Sequence, residues 1–524
     1  MNNVNKDVLF KITNLKQHFP LKNKRLSVKA VDGVDLEIYN GETLGLVGES
    51  GCGKSTFGRV LLQLYRQTDG KTMYYGRTLE DLAPSYVKET LTSLEKRIQK
   101  LNDLEQNRDS LKKTFEAIEN QSKSGEDAKH TLYDAQNAYY MAQKEYNTAY
   151  LDIVQLVGGF FISKDLGKVS QVLIRAYELS AKRHALDEKE KDLDLDRSDV
   201  SGNIDLYRRK GRDTGTLERK LVQIDASIQE IKLQKEVIER SLTQVNETLD
   251  TMRGEYRNDA EFAKHERFRD KGIDLSRLKY SEMRLLRKDL QLIFQDPYSS
   301  LNPRMTVGQI IGEGLLAHRF FKEDGELMQE YVMKVMENCG LSSYMIHRYP
   351  HQFSGGQRQR IGIARSLALN PKFMVCDEAV SALDVSIQAQ IINLLRDLKE
   401  KANLTYLFIS HDLAVVKYIS DRIGVMYLGN VVELAQSRQI FEHPLHPYTE
   451  ALLAAIPTTE VDAKRDPVLL EGDIPSPIRP PKGCKFHTRC RYCTEICTKV
   501  VPEWRQLEPG HFVACHHPLL ESKE

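Results

Sequence analysis

The sequence predicts an α/β fold with a parallel sheet, interrupted by a long helical insertion. First, residues 48–56 read GESGCGKST between an apolar run and a helix-compatible run, which is the strand–loop–helix setting of a phosphate-binding loop. Second, apolar runs alternate with helical patterns after residue 289, as they do in a sheet covered by helices on both faces. Third, residues 80–272 are rich in Lys, Glu, Gln and Leu, which predicts a helical insertion.

The composition favours a cytoplasmic protein and gives no sign of nucleic-acid binding. The 75 Lys and Arg nearly balance the 74 Asp and Glu, for a net charge of +1 over 524 residues, so the basic field typical of nucleic-acid binders is missing. No apolar run approaches the roughly 20 residues of a membrane span. The opening MNNVNKDVLF lacks the apolar core of a signal peptide. We therefore expect a cytoplasmic chain that meets a membrane only through a partner.

The first elements are predicted to be antiparallel strands. Residues 8–47 alternate apolar and polar positions in short runs ahead of the phosphate loop. Phe19 lies between two such runs, where an exposed ring could stack on adenine, although the local sequence supports a core or turn position equally well.

The phosphate-loop motif predicts binding of a nucleoside triphosphate with Mg²⁺. Its glycines let the backbone turn so that N–H groups point at phosphate oxygens, and the helix N-terminus adds a favourable dipole. Lys54 is expected to reach the β- and γ-phosphates, and the Ser55 hydroxyl to ligate Mg²⁺. The predicted nucleotide-binding loop comprises Gly48, Glu49, Ser50, Gly51, Cys52, Gly53, Lys54, Ser55 and Thr56.

Apolar residues in the insertion recur at heptad spacing and predict a coiled-coil hairpin. From Leu217 to Met252 they follow alternating steps of three and four, with Lys235 in one slot, which makes five heptads of an a/d seam. An earlier run from Val87 to Leu101 repeats the pattern. We expect these two helices to pack against each other in antiparallel fashion. The sequence indicates no partner for the insertion, and a solvated spacer is the simplest interpretation.

Acidic residues after the insertion complete the predicted site. The apolar run 373–376 is a predicted strand that delivers Asp377 and Glu378 at its C-terminal edge, where ligands bind in open α/β sheets. Asp377 is suited to holding Mg²⁺ through water, and Glu378 to orienting or deprotonating the attacking water. His411 follows another apolar strand and could hydrogen-bond the γ-phosphate.

A second anion site is predicted at a helix N-terminus. The segment Ser354, Gly355, Gly356 and Gln357 begins a helical pattern, and a hydroxyl with two glycine N–H groups there favours a bound anion. Gln295 ends a separate buried-strand run.

The order of these motifs resembles that of the ATP-binding cassette (ABC) ATPases. The resemblance implies a RecA-like core, an antiparallel β subdomain and a helical subdomain. It also implies catalytic roles for Glu378, His411 and Gln295, and Mg²⁺ ligation by Ser55, Gln295 and Asp377. The motifs that match are Walker A (48–56), the Q-loop (Gln295), the signature (354–357), Walker B (Asp377 and Glu378), the D-loop (381–384), the switch histidine (His411) and the adenine-stacking position (Phe19). In that family the signature of one subunit closes over the nucleotide of another, so this chain, with one of each motif, needs a second subunit.

A narrower resemblance is to the F-type ATPase subunit of oligopeptide and dipeptide permeases. It rests on FQDPYSSLNPRMTVG (294–308), CDEAVSALDVSIQAQ (376–390), HPLHPYTEALLAAIP (443–457) and GCKFHTRC (483–490). It implies an ATP-hydrolysing subunit of a peptide importer at the cytoplasmic face of the membrane. The implied partners are a sister ATPase, two multi-span membrane subunits and, indirectly, an extracellular peptide-binding protein. Ala379 departs from the family's usual Pro, but the intact acidic pair leads us to expect that hydrolysis survives.

Five cysteines crowd the tail and predict a metal site. Thiolates this dense suit an iron–sulfur cluster or Zn²⁺. The permease resemblance matches Cys484, Cys490, Cys497 and Cys515 and implies a [4Fe–4S] cluster, with Zn²⁺ or reduced thiols as alternatives. Cys493 is additional, and its C-x-x-C spacing from Cys490 favours zinc.

The predicted domains follow from these boundaries. Residues 1–79 and 273–440 form the two parts of the ATPase core, 80–272 the insertion, and 441–524 a permease-type extension. The alternative function is a chromosome-maintenance or DNA-repair ATPase, which also carries coiled coil. In that class the coil enters after the Q-loop and runs for hundreds of residues, whereas here it precedes Gln295. Translation-factor ATPases carry two cassettes, and this chain carries one.

Overall fold

The computed structural model describes residues 7–22, 26–121, 126–455 and 472–519, so the ends of the predicted ranges 1–79 and 441–524 lie outside it. The chain forms two compact units. The core unit comprises Met1–Gly76, Asp274–Ser276 and Tyr280–Glu524, and the helical unit comprises Arg77–Ile273 and Arg277–Lys279.

The strands and helices are numbered in chain order. The strands are β1 (Val8–Pro20), β2 (Ser27–Tyr39), β3 (Thr43–Val47), β4 (Asp69–Tyr74), β5 (Ile273–Asp274), β6 (Leu290–Ile293), β7 (Phe373–Asp377), β8 (Thr405–Ile409), β9 (Arg422–Tyr427), β10 (Asn430–Gln436), β11 (Arg505–Glu508) and β12 (His511–Val513). The helices are α1 (Lys54–Leu61), α2 (Leu79–Leu82), α3 (Ser85–Thr92), α4 (Leu94–Gln121), α5 (Glu126–Val157), α6 (Leu166–Arg209), α7 (Gly215–Gly254), α8 (Ala260–Glu266), α9 (Tyr280–Leu286), α10 (Val307–Ala317), α11 (Glu326–Asn338), α12 (Gly355–Leu367), α13 (Val385–Ala402), α14 (Leu413–Ile419), α15 (Ser437–Glu442), α16 (Pro447–Ala454) and α17 (Glu495–Lys499).

The larger sheet of the core unit confirms the predicted α/β class. Its strand order is β11-β12-β10-β9-β3-β8-β7-β6. The strands from β9 to β6 run parallel, and β10, β12 and β11 add antiparallel pairs. Every residue of β3, β7 and β8 is buried, because helices cover both faces of such a sheet and favour continuous apolar strands.

The smaller sheet begins with the predicted antiparallel strands. Strand β1 pairs with both β2 and β4 in antiparallel fashion, so the prediction of antiparallel strands is confirmed for β1 and β2. It is wrong for residues 43–47, because β3 runs parallel to β8 and β9 in the larger sheet. The edge strands β11 and β12 of the larger sheet were not expected from the sequence. They are only four and three residues long, too short for a clear alternating pattern.

Two helices, α10 and α11, lie between β6 and α12 in the chain. Thr306 caps α10 in a reciprocal capping box with Gln309. The helix ends before Arg319, whose φ of 56° lies in the left-handed region. The apolar faces of both helices pack into one buried cluster with α12 and the parallel strands.

Four long helices dominate the helical unit, and their pairing corrects one prediction. Helix α4 packs along α5, and α6 packs along α7. The expected hairpin between the earlier heptad run and the 217–252 run is therefore wrong. A heptad seam specifies which face of a helix is buried but not which helix covers it, and here each long helix packs on its neighbour in sequence.

The predicted seam of α7 is nevertheless its buried face. Its buried residues are Ile224, Ile228, Ile231, Leu242, Val245, Leu249 and Met252. Lys235, the polar residue in the seam, lies 2.5 Å from Asp187 and 2.7 Å from Glu190 on α6. Within the described ranges, no helix joins the length and apolar character that crossing a bilayer requires.

Candidate nucleotide-binding site

The phosphate loop links β3 to α1 through glycines in conformations that other residues avoid. Gly48 has φ of 148°, and Gly53, the N-cap of α1, has φ of 107°. A Cβ at Gly48 would lie 2.1 Å from the Met426 carbonyl oxygen, and a Cβ at Gly53 would lie 2.0 Å from that of Ala30. Both positions therefore require glycine for backbone conformation and for space.

Lys54 points into the loop that it follows. Its Nζ donates to the carbonyl oxygens of Gly48 at 2.7 Å and Glu49 at 3.0 Å, and the residue is only 5% exposed. A third, longer contact joins Nζ to Cys52 Sγ at 3.6 Å, so the ammonium group is held at the inner side of the loop where a phosphate would bind.

Ser55 and Asp377 meet although 322 residues separate them. The Ser55 hydroxyl donates to Asp377 Oδ1 at 2.6 Å, and Arg59 Nη2 lies 3.4 Å from Oδ2. A hydroxyl and a carboxylate are the oxygen ligands that Mg²⁺ prefers. These two residues therefore fit a magnesium site at the start of α1.

Gln295, Glu378 and His411 form a second group at the same sheet edge. Gln295 Nε2 donates to Glu378 Oε2 at 2.7 Å, and His411 Nδ1 lies 3.7 Å from Glu378 Oε1. The three residues follow β6, β7 and β8, which are neighbours in the sheet. Parallel strands end at one edge, which is why residues far apart in sequence converge here.

Glu378 adopts a left-handed backbone conformation. Its φ is 48°, a value uncommon outside glycine that concentrates at functional sites. Its N–H donates to the Ile409 carbonyl, and its own carbonyl accepts from the Ser381 hydroxyl at 3.0 Å. These bonds hold the turn around the buried Ala379 without the ring of a proline.

The predicted second anion site is an exposed, capped helix start. Ser354 Oγ accepts from Gln357 N at 3.4 Å, and Gln357 Oε1 accepts from Ser354 N at 3.1 Å. Ser354 and Gly355 are exposed, while Gly356 is buried. The first two are thus accessible to another subunit. Phe19 packs edge-on against Tyr65, with ring centroids 5.4 Å apart, so stacking on adenine stays a prediction.

Three residues near the site were missed by sequence reasoning. Arg59 follows Ser55 by one helical turn, the only local signal for its contact with Asp377. Tyr448 and Arg489 both contact Glu49 of the phosphate loop. They lie 399 and 440 residues from Glu49 in sequence, and no local sequence pattern predicts such a contact.

Four of the tail cysteines converge. Cys484, Cys490, Cys497 and Cys515 line one small cavity. Burial raises the pKa of Cys484 to about 11 and that of Cys515 to about 12. Among the described residues, no three or more His, Cys, Asp or Glu are arranged closely enough to hold a metal ion. The four cysteines therefore share one cavity, but in the described part of the chain they do not form a coordination sphere.

Comparison with known proteins places the chain in a family. It matches the family "ABC transporter" over residues 31–161 and 211–381, together more than half of the chain, and the family "Oligopeptide/dipeptide transporter, C-terminal region" over 432–497. The oligopeptide transport ATP-binding protein AppF of Bacillus subtilis is 53% identical over 251 residues, or 47% of this chain and 75% of AppF.

Two further relatives are similar to the same degree. A putative peptide import ATP-binding protein of Brucella ovis is 54% identical over 244 residues, covering 47% of this chain and 76% of its own. The putative oligopeptide transport ATP-binding protein YkfD of Bacillus subtilis is 51% identical over 257 residues, covering 48% and 78%. With its phosphate loop, acidic pair and sheet order in place, the chain belongs to the ABC transporter family and is an ATP-hydrolysing cassette.

Proposed function

We propose that this chain is the ATP-hydrolysing subunit of an oligopeptide or dipeptide importer and couples ATP binding and hydrolysis to transport through membrane subunits. The observation that carries the proposal is the match of residues 432–497 to the C-terminal region of oligopeptide and dipeptide transporters. The printed names of the relatives, which describe peptide import and oligopeptide transport, support the same substrate class.

The geometry at the sheet edge supports separate roles for the site residues in binding phosphate, holding Mg²⁺ and activating water. Lys54 binds the β- and γ-phosphates, while Ser55, Asp377 and Gln295 hold Mg²⁺, which neutralises charge on the phosphates when bound. Glu378 orients or deprotonates the attacking water, and its 2.7 Å bond from Gln295 fixes the carboxylate. His411 donates to the γ-phosphate from the neighbouring strand end.

The exposure of Ser354 and Gly355 in the segment 354–357 supports the presence of a partner ATPase. We expect a sister subunit whose nucleotide this segment covers, two multi-span membrane subunits, and an extracellular peptide-binding protein that acts indirectly. This assembly would hold the chain at the cytoplasmic face of the cell membrane, with no nucleic-acid partner. Within the chain, we propose that residues 80–272 are inserted between core segments 1–79 and 273–440, with the extension 441–524 following.

We also propose that Cys484, Cys490, Cys497 and Cys515 hold a [4Fe–4S] cluster, with Zn²⁺ as the alternative. Their convergence on one cavity supports a four-sulfur site. Metal analysis of the anaerobically purified chain tests this directly. About four iron atoms per chain support the cluster, one zinc supports the alternative, and neither metal rejects both.

The transport proposal is tested by purifying the full chain with its natural partners. We expect two multi-span membrane proteins and a sister ATPase to co-purify, and peptide with its binding protein to stimulate ATP hydrolysis after reconstitution into vesicles. Co-purification with DNA or ribosomes instead would reject the transporter.

A further inference from the structure

Two residues of the C-terminal extension bind Glu49 of the phosphate loop. Arg489 Nη1 donates to Glu49 Oε2 at 2.7 Å, and Nη2 donates to Oε1 at 3.1 Å. The Arg489 side chain is only 5% exposed. Glu49 is 24% exposed, so the pair is partly buried. A pair with two parallel hydrogen bonds fixes geometry more tightly than a singly bonded surface ion pair does.

Tyr448 holds the backbone of the same residue. The Glu49 N–H donates to the Tyr448 hydroxyl oxygen at 2.9 Å, and Tyr448 is fully buried. The N–H group of Glu49 is therefore hydrogen-bonded to a residue of the extension. The carbonyl of Glu49 in turn accepts from Lys54 Nζ at 3.0 Å, so a chain of direct contacts runs from Arg489 and Tyr448 through Glu49 to the lysine of the site.

The segment that carries Arg489 is itself anchored. Phe486 packs against Tyr448 and Tyr427, with ring centroids 5.3 and 5.2 Å apart. Lys485 Nζ donates to Asp32 Oδ2 at 2.9 Å. The two anchors precede Arg489 by three and four residues, so the guanidinium has little freedom to leave Glu49.

We propose that Arg489 and Tyr448 are positioning residues that hold the phosphate loop in its nucleotide-binding conformation, so that the C-terminal extension sets the affinity of the cassette for ATP. The proposed effect is on nucleotide binding by the single chain, and it does not depend on peptide being the transported substrate. It also gives the extension a function inside the ATPase site, separate from any metal held by its cysteines.

The test is titration of the full-length chain with a fluorescent ATP analogue and Mg²⁺, together with ATP hydrolysis by the complex of this chain with its partner subunits. For Arg489→Ala we expect the Kd to rise about tenfold, with kcat at saturating ATP within about twofold of the parent because no reacting atom is lost. Arg489→Lys should recover part of the affinity, since lysine keeps the positive charge but not the two parallel hydrogen bonds that a guanidinium donates to the Glu49 carboxylate.

Three further variants test the pathway through Glu49: Glu49→Ala, its combination with Arg489→Ala, and Tyr448→Phe. If the contacts act as one unit, combining Glu49→Ala with Arg489→Ala should raise the Kd no further than either change alone. Tyr448→Phe removes only the acceptor for the Glu49 N–H and should raise the Kd without altering the ion pair. If Arg489→Ala fails to fold, Tyr448→Phe still tests the proposal.

Arg491 supplies the matched control on the same segment. It donates to Glu450 at 2.8 Å and is half exposed, so Arg491→Ala removes an ion pair of the extension away from the phosphate loop. We expect a parental Kd and the same iron or zinc content as the parent. Unchanged affinity in Arg489→Ala, additive effects in the double variant, or equal weakening by Arg491→Ala would each overturn the proposal.

Discussion

At the scale of single residues, the proposed hydrolytic mechanism depends on one carboxylate in an uncommon backbone conformation. Glu378 accepts a hydrogen bond from Gln295 and lies 3.7 Å from His411. An amide keeps the size and one acceptor of this side chain but cannot take a proton from water. The chemistry and the packing of this position can therefore be separated by a single substitution.

Glu378→Gln should reduce ATP turnover by on the order of a hundredfold or more, because the general base is lost. Binding of MgATP should persist, since Lys54, Ser55 and Asp377 remain. Steady-state phosphate release and nucleotide titration measure the two effects. Parental turnover at the site completed by this subunit would remove Glu378 from the catalytic role.

The phosphate loop offers a paired test of close packing against backbone conformation. Gly51 and Gly53 both have positive φ, but a Cβ at Gly51 meets nothing within 4 Å, whereas one at Gly53 would meet the Ala30 carbonyl at 2.0 Å. We expect Gly51→Ala to cost about 1 kcal/mol in the free energy of unfolding. Gly53→Ala should cost more and should abolish nucleotide binding. Denaturant unfolding with nucleotide titration checks both, and equal costs would show that the clash is relieved.

At the scale of elements, the periodicity of the apolar residues identified the buried faces of helices and the ends of strands. It did not identify contacts between residues that are far apart in sequence. The convergence of Gln295, Glu378 and His411 was predictable because each follows an apolar run, and parallel strands end at a common edge. The contact between Arg489 and Glu49 was not predictable, since a single ion pair across 440 residues leaves no period or motif. The predicted partner of α7 was wrong, because a heptad seam shows which face of a helix is buried but not which helix covers it.

The buried face of α7 provides the element-scale prediction. Ile228 is 5% exposed in the seam, whereas Val222 on the same helix is 68% exposed. Ile228→Ala should cost about 2 to 4 kcal/mol in unfolding free energy, because it leaves a cavity between α6 and α7. Val222→Ala should change it by no more than about 0.5 kcal/mol. Unfolding followed by helical circular dichroism measures both, and similar costs would mean that the seam is not a packed interface.

At the scale of the whole molecule, the C-terminal extension joins the antiparallel part of the larger sheet through a buried polar cluster. Glu433 of β10 is fully buried and accepts from the N–H groups of Leu445 and His446 at 2.7 and 3.0 Å. His511 of β12 lies 2.7 Å from the same carboxylate. His446 caps α16 by accepting from Tyr448 N at 3.0 Å, which requires a neutral ring. The extension that reaches Glu49 is thus fixed to the sheet by groups that acid can disturb.

Burial lowers the pKa of His446 to about 4, against about 6.5 for a histidine in an unfolded chain. Between these values the unfolded state binds more protons than the folded state, so stability falls as the pH drops below about 6.5 and continues to fall until about 4. From pH 7 to pH 5 this one group should remove about 2 kcal/mol of unfolding free energy. His446→Asn keeps a good helix cap without a titrating ring, so its stability should fall less over the same range. Denaturant unfolding at pH 7, 6 and 5 compares the two proteins, and equal pH dependence would show that the acid sensitivity arises elsewhere.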